Sequence, residues 1–89
     1  MAELQVEVVA ADHFLWSGAA TLVKARTSEG EIGVLPGHTP VLAVLAPGEL
    51  EIVPVEGNRI TLKADGGFFS VDSNRVVIVA DNAEMQESA

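Results

Sequence analysis

The sequence predicts an all-β domain, a small sandwich of short strands packed in two sheets. Three observations carry that prediction. Apolar and polar residues alternate in several separate runs. Turn-forming clusters divide those runs at intervals of roughly ten residues, the spacing of a sandwich or barrel. No helical period of useful length precedes residue 80. A barrel is the second possibility, because closure of a sheet on itself is not legible in alternation. A chain of 89 residues forms one domain. The sandwich is expected over residues 1–81, followed by a short tail over 82–89.

Leu4, Val6 and Val8 alternate with Glu3, Gln5 and Glu7, which predicts a half-buried first strand with one wet face. Leu50 and Ile52 alternate with Glu49 and Glu51, and Ile60, Leu62 and Ala64 with Arg59, Thr61 and Lys63. Phe69 and Val71 share one face, with Ser70 and Asp72 on the other. The continuous run Val76–Ala80 is β-branched and reads as a strand buried on both faces. Pro47-Gly48, Glu56-Gly57-Asn58, Asp65-Gly66-Gly67 and Asp72-Ser73-Asn74 are the turns between them. At the end, Asp81-Asn82-Ala83-Glu84 has the outline of a capping box, followed by good helix formers. That predicts at most a short helical stub, too short to persist alone.

Composition narrows the function. Thirteen acids against five bases give a formal charge of −8. This argues against nucleic acid and anionic membrane surfaces, both of which attract basic stripes. There is no cysteine, so disulfides and thiolate metal sites are excluded. The longest apolar run, Val41–Ala46, is far below the roughly 20 residues of a membrane helix. The opening Met1-Ala2-Glu3 has no signal-peptide character. The two histidines, His13 and His38, lie in no zinc spacing, and no serine sits in a nucleophile-elbow context. No catalytic residue, metal set or cofactor site is predicted.

The stretch Gly30–Pro40, GEIGVLPGHTP, carries far more backbone constraint than a plain hairpin needs. Leu35-Pro36-Gly37-His38 reads as a tight turn, with Pro at the position it pre-sets and Gly where a left-handed residue fits. Glu29 and Glu31 flank Gly30. In kind they suit acid–base or calcium chemistry, but the further oxygen ligands of a calcium loop are missing, and a solvated hairpin tip is the simpler reading. Phe14-Leu15-Trp16 is open to a core or an interface role. Phe68 and Phe69 must point to opposite faces, so one of them meets something other than the core.

Three ordered blocks resemble the epsilon subunit of bacterial F-type ATP synthase, whose mitochondrial counterpart is called delta. Leu4–Val9 followed by Trp16-Ser17-Gly18 is similar to the family's opening strand and its F/W-S-G turn. Gly30–Pro40 is similar to its GE-x-G…PGH-x-P signature. Gly66-Gly67-Phe68-Phe69-Ser70-Val71, with Asn74, Val76, Ile78 and Ala80-Asp81-x-Ala83-Glu84, is similar to its closing block.

The resemblance implies a sandwich of about ten strands in two sheets. It implies a non-catalytic rotor subunit that binds gamma laterally and sits on the polar loops of the membrane c-ring, coupling proton flow to ATP synthesis. By the same resemblance Glu29 and Glu31 face the ring, whose loops often carry arginine. His38, at the same end, faces gamma, and Val41, Leu42 and Phe68 lie in segments that supply apolar contact to it. The implied location is peripheral, on the cytoplasmic side of the bacterial cell membrane, with no cofactor and no direct membrane insertion. Most bacterial members continue into a C-terminal helical hairpin with inhibitory or ATP-sensing roles. Only Asp81–Ala89 stand at that position here, which puts those roles in doubt, and the absence of a tag mildly favours a naturally short chain. The rival reading is a free-standing ligand-binding β-sandwich, poorly supplied with one Trp, three Phe and no Tyr.

Overall fold

Nine strands form in the computed structural model, which describes residues 2–10 and 12–87. They are β1 (Leu4–Ala10), β2 (Phe14–Thr27), β3 (Gly30–Val34), β4 (Val41–Leu45), β5 (Gly48–Pro54), β6 (Ile60–Ala64), β7 (Gly66–Asp72), β8 (Arg75–Asp81) and β9 (Glu84–Glu87). All nine belong to one hydrogen-bonded network with the order β1-β8-β7-β4-β2-β5-β6-β9, and β3 is attached to β2.

The long strand β2 makes two layers from that network. Its first half pairs antiparallel with β1, from Val9↔Phe14 to Leu4↔Ala20. Its second half pairs with β5 on one side and β3 on the other. One layer thus holds β1, β8, β7 and β4; the other holds β3, β5, β6 and β9; β2 passes through both. Two irregularities let it do so. The register shifts between Val8 and Val9 on β1, and between Ala20 and Leu22 on β2. A bulge adds a residue on one side, bends the strand and resets which side chains point inward. The circuit β1-β8-β7-β4-β2-β1 closes through a single bridge, Thr27↔Leu45.

The core lies between the layers and is built by the inward half of each alternation. Leu4, Val6 and Val8 from β1 meet Phe69 and Val71 from β7, Val76 and Ile78 from β8, and Leu50, Ile52 and Leu62 from the second layer. Phe69 is fully buried while its neighbour Phe68 is 57% exposed, as their adjacency requires. Trp16 resolves to the core side: it is half-buried and packs on the cluster. Gly18 explains the Trp-Ser-Gly sequence, because a Cβ there would stand 2.9 Å from the Trp16 ring. Gly67 is the tighter case. Its φ is +130°, and a Cβ would meet the Val79 carbonyl oxygen at 2.0 Å, so only glycine lets β7 lie against β8 there.

Three expectations change. Residues 84–87 form strand β9, not a helical turn, pairing antiparallel with β6 from Lys63↔Glu84 to Ile60↔Glu87. A helix of a few residues has too few hydrogen bonds to offset its nucleation, whereas the open edge of β6 offers a ready row of partners. Asn82, with φ of 47°, turns the chain onto that edge. Residues 88–89, the end of the anticipated tail, lie outside the described residues. Second, Val76–Ala80 is not buried on both faces: Val77 is half-buried and Val79 exposed. Third, the two sheets share β2, so they form one folded-over network of nine strands among the described residues.

Candidate interaction face and acidic hairpin

The outward half of the alternation builds two unlike surfaces. On the β1-β8-β7-β4 layer, register sets one cross-strand row after another. Val44 stands opposite Phe68, Phe68 opposite Val79, Val79 opposite Val9, and Val9 opposite Phe14. Val44, Phe68, Val79 and Phe14 are all exposed. Leu42, 75% exposed, begins the next row, followed by Ser70 and the half-buried Val77. Single exposed apolar residues are ordinary on a protein surface, but a contiguous row across five strands marks an interaction site.

At the β4 edge of this face stands the hairpin between β2 and β3. Thr27 organises its tip: the hydroxyl donates to the Gly30 carbonyl at 2.8 Å and accepts from the Glu29 amide at 3.2 Å. Gly30 takes φ of +124°. The Ser28 amide donates to the Val44 carbonyl at 3.0 Å, which fastens the tip to the C-terminal end of β4. Beyond that bond β3 and β4 do not pair, and a groove of about 430 Å³ opens between them, lined by Glu29, Glu31, Ile32, Leu42 and Val44 among others. Glu29 and Glu31 are exposed, and Glu31 stands in register with Arg26.

The Pro36-Gly37 turn has the expected geometry. The His38 amide donates to the Leu35 carbonyl at 3.1 Å, and Gly37 has φ of +90°, as a type II turn demands. The His38 ring Nδ1 lies 2.7 Å from the Thr39 carbonyl. A carbonyl only accepts, so that nitrogen carries the proton.

The structure therefore brings together Glu29, Glu31 and Leu42 at one groove, with Phe68 across the sheet from Val44. Val41 points the other way from Leu42, into the core beside Val71. His38 does not share an end with the acidic residues. Gly37 bonds to Asn74, whose turn follows β7, beside the N-terminal end of β4, whereas Ser28 bonds at its C-terminal end. Those ends are about 13 Å apart at the rise of a strand. Phe14, open to either role in sequence, belongs to the face, as do Val9, Val44, Val77 and Val79, which the sequence alone did not single out as interface residues. Their outward positions in alternation were the available signal, and only register joins them. Among the described residues no group of three or more His, Asp or Glu side chains is placed to hold a metal ion.

Known proteins share this architecture. The family profile "ATP synthase, Delta/Epsilon chain, beta-sandwich domain" matches residues 3–86. The ATP synthase epsilon chain of Micrococcus luteus is 55% identical over the whole chain and 98% of its own length. That of Rhodococcus erythropolis is 52% identical over 98% of this chain and 72% of its own. A chain from the cryo-EM structure of the Euglena gracilis mitochondrial ATP synthase, OSCP/F1/c-ring in rotational state 1, superposes with a TM-score of 0.87 at 32% identity. The match covers 96% of this chain and 54% of that one, so the chain spans about half its length. A chain of the Tetrahymena thermophila mitochondrial ATP synthase shares the fold, with a TM-score of 0.74 at 21% identity over 91% of this chain and 65% of its own. On the profile match and these identities, the chain belongs to the ATP synthase delta/epsilon family and is its β-sandwich domain.

Proposed function

We propose that this chain is a non-catalytic central-stalk subunit of the proton-translocating F-type ATP synthase. It binds the gamma subunit through its apolar face and the polar loops of the c-ring through its acidic hairpin, so that proton flow through the ring is coupled to ATP synthesis elsewhere in the complex. It works peripherally, on the cytoplasmic side of a bacterial cell membrane. Family membership supports the complex. The observation that carries the assignment of surfaces is the row of exposed Val44, Phe68, Val79 and Phe14, joined through the half-buried Val9, with Leu42 beside it.

Folding alone gives no reason for that row, since the core is complete without it. A partner that covers it removes apolar area from water, about 1.5–3 kcal/mol for each large side chain fully buried. Val41 supports the face from beneath, and His38 extends the gamma contact at the far end of β4. Glu29 and Glu31 offer carboxylates to ring arginines, a charge-assisted contact stronger than a neutral hydrogen bond. The rival of a free-standing ligand-binding module has less to build on, because Trp16 packs on the core and Phe14 and Phe68 lie on an outer sheet surface.

Reconstitution with gamma and the c-ring tests the reading. Phe68→Asp is expected to weaken gamma binding by about 2–3 kcal/mol, roughly a hundredfold, with the melting temperature nearly unchanged because Phe68 is exposed. Glu31→Lys is expected to weaken ring docking, more at low salt, where screening is weaker. A chain that never associates with gamma overturns the proposal.

A further inference from the structure

Two separate blocks of the family resemblance meet at one hydrogen bond. The Asn74 side-chain oxygen accepts from the Gly37 amide at 2.7 Å. The Asn74 backbone carbonyl accepts from the Gln5 amide at 2.8 Å. One residue thus ties the β7–β8 turn to the start of β1 and to the Pro36-Gly37-His38 turn.

The turn that carries Asn74 does not require asparagine. Ser73 and Asn74 have φ of 50° and 63°, the pattern of a two-residue type I′ hairpin, in which glycine is the least strained choice at the second position. Asparagine tolerates the left-handed region and commonly bonds to its own local backbone. Here its acceptor reaches across to a different loop. The Pro36-Gly37 turn closes on itself through the His38 amide to the Leu35 carbonyl. That bond sets the shape of the turn but not where the turn sits on the sandwich; the bond from Asn74 supplies the placement.

We propose that Asn74 is a positioning residue, which holds the Pro36-Gly37-His38 turn at the N-terminal end of β4 in the arrangement that meets gamma. The proposal rests on the gamma-facing reading above for its partner, though not for the bond itself. Asn74 touches no partner in this role; it acts through Gly37.

The test compares the full chain with Asn74→Gly, which keeps the backbone conformation and removes the acceptor, and Asn74→Asp, which keeps both. Amide hydrogen exchange is followed residue by residue at neutral pH, and affinity for recombinant gamma is measured in parallel. Asn74→Gly is expected to speed exchange of the Gly37 amide by about tenfold, the scale of one lost hydrogen bond, and to change the His38 amide much less. It is expected to weaken gamma binding several-fold, and Asn74→Asp to restore both readouts. Unchanged Gly37 exchange in Asn74→Gly overturns the proposal, as does failure of Asn74→Asp to restore it. Altered exchange with equal gamma affinity in all three forms overturns the positioning role. If even the unaltered chain fails to bind gamma, the functional reading falls and so does the positioning role, while the exchange data still decide the bond.

Discussion

The outer faces of the two layers follow the same alternation and present opposite chemistry. On the β5-β6 layer the outward residues are Lys24, Arg26, Glu31, Glu49, Glu51 and Lys63, with opposite charges in register at Lys24↔Glu51, Arg26↔Glu31 and Glu49↔Lys63. Arg59 adds a partly exposed contact to Glu51 at 3.8 Å. On the β7-β8 layer the same outward positions hold Leu42, Val44, Phe68, Val77 and Val79. Inward positions on both layers serve one core and answer to packing. Outward positions are free of that demand, so their chemistry reports on surroundings. A lattice of alternating charges suits water; an exposed row of Val, Leu and Phe suits a partner.

The comparison breaks most severely at Gly67. Gly67→Ala removes no side chain of the apolar face but drives a Cβ into the Val79 carbonyl from a φ of +130°. Stability is expected to fall by about 3 kcal/mol or more, read by thermal or urea unfolding. A loss below about 1 kcal/mol would show that the strands separate there cheaply and that the row is less rigid than its register suggests. The charged face should respond far less. Arg59→Ala removes one long, partly exposed ion pair and is expected to change stability by no more than about 0.5 kcal/mol, without effect on gamma affinity. An Arg59→Ala variant that loses gamma binding would move the interface to the wrong layer.

The smallest effect belongs to the exposed pair Asp12–His13. The His13 ring lies 2.6 Å from the Asp12 carboxylate. That hydrogen bond, then the attraction of the ring's charge, hold the Asp12 carboxyl below its ordinary value of 3.8. A depressed carboxylate stabilises the fold above its ordinary value and loses that contribution as pH falls through the lowered one. Full exposure lets solvent screen the pair. Asp12→Asn is therefore expected to change the melting temperature at neutral pH barely measurably, and any small difference from the unaltered chain is expected to vanish as pH falls through the lowered Asp12 value.

Much of the fold was legible because local chemistry and tertiary context agree. β1, β5 and β6 alternate cleanly, and the Pro36-Gly37 turn needs the residues it has. β2 was harder, since Ser17-Gly18-Ala19-Ala20 interrupts its apolar pattern and two irregularities reset its inward set. The final strand misled because capping chemistry at Asp81–Glu84 is local, while the β6 edge that captures the chain is remote in sequence. The site was legible only in fragments. Phe68 announced itself by its neighbour Phe69, and Glu29 and Glu31 by their turn. The apolar row joins residues from five strands, and no single run of sequence displays it. The resemblance implies one end for His38 and the acidic pair, but strand β3 between them carries them apart.

The parallel pairing of β1 with β8, from Gln5↔Arg75 to Ala10↔Ala80, has a consequence for synthesis. Strand β1 finds one of its two neighbours, β8, only after about seventy further residues have left the ribosome. Until then its apolar face has β2 alone for cover, and a lone hairpin is marginal in water. Contacts between distant parts of a chain also make folding slow. The residues made before β8 must therefore stay soluble while unfolded, and the acidic residues help by mutual repulsion.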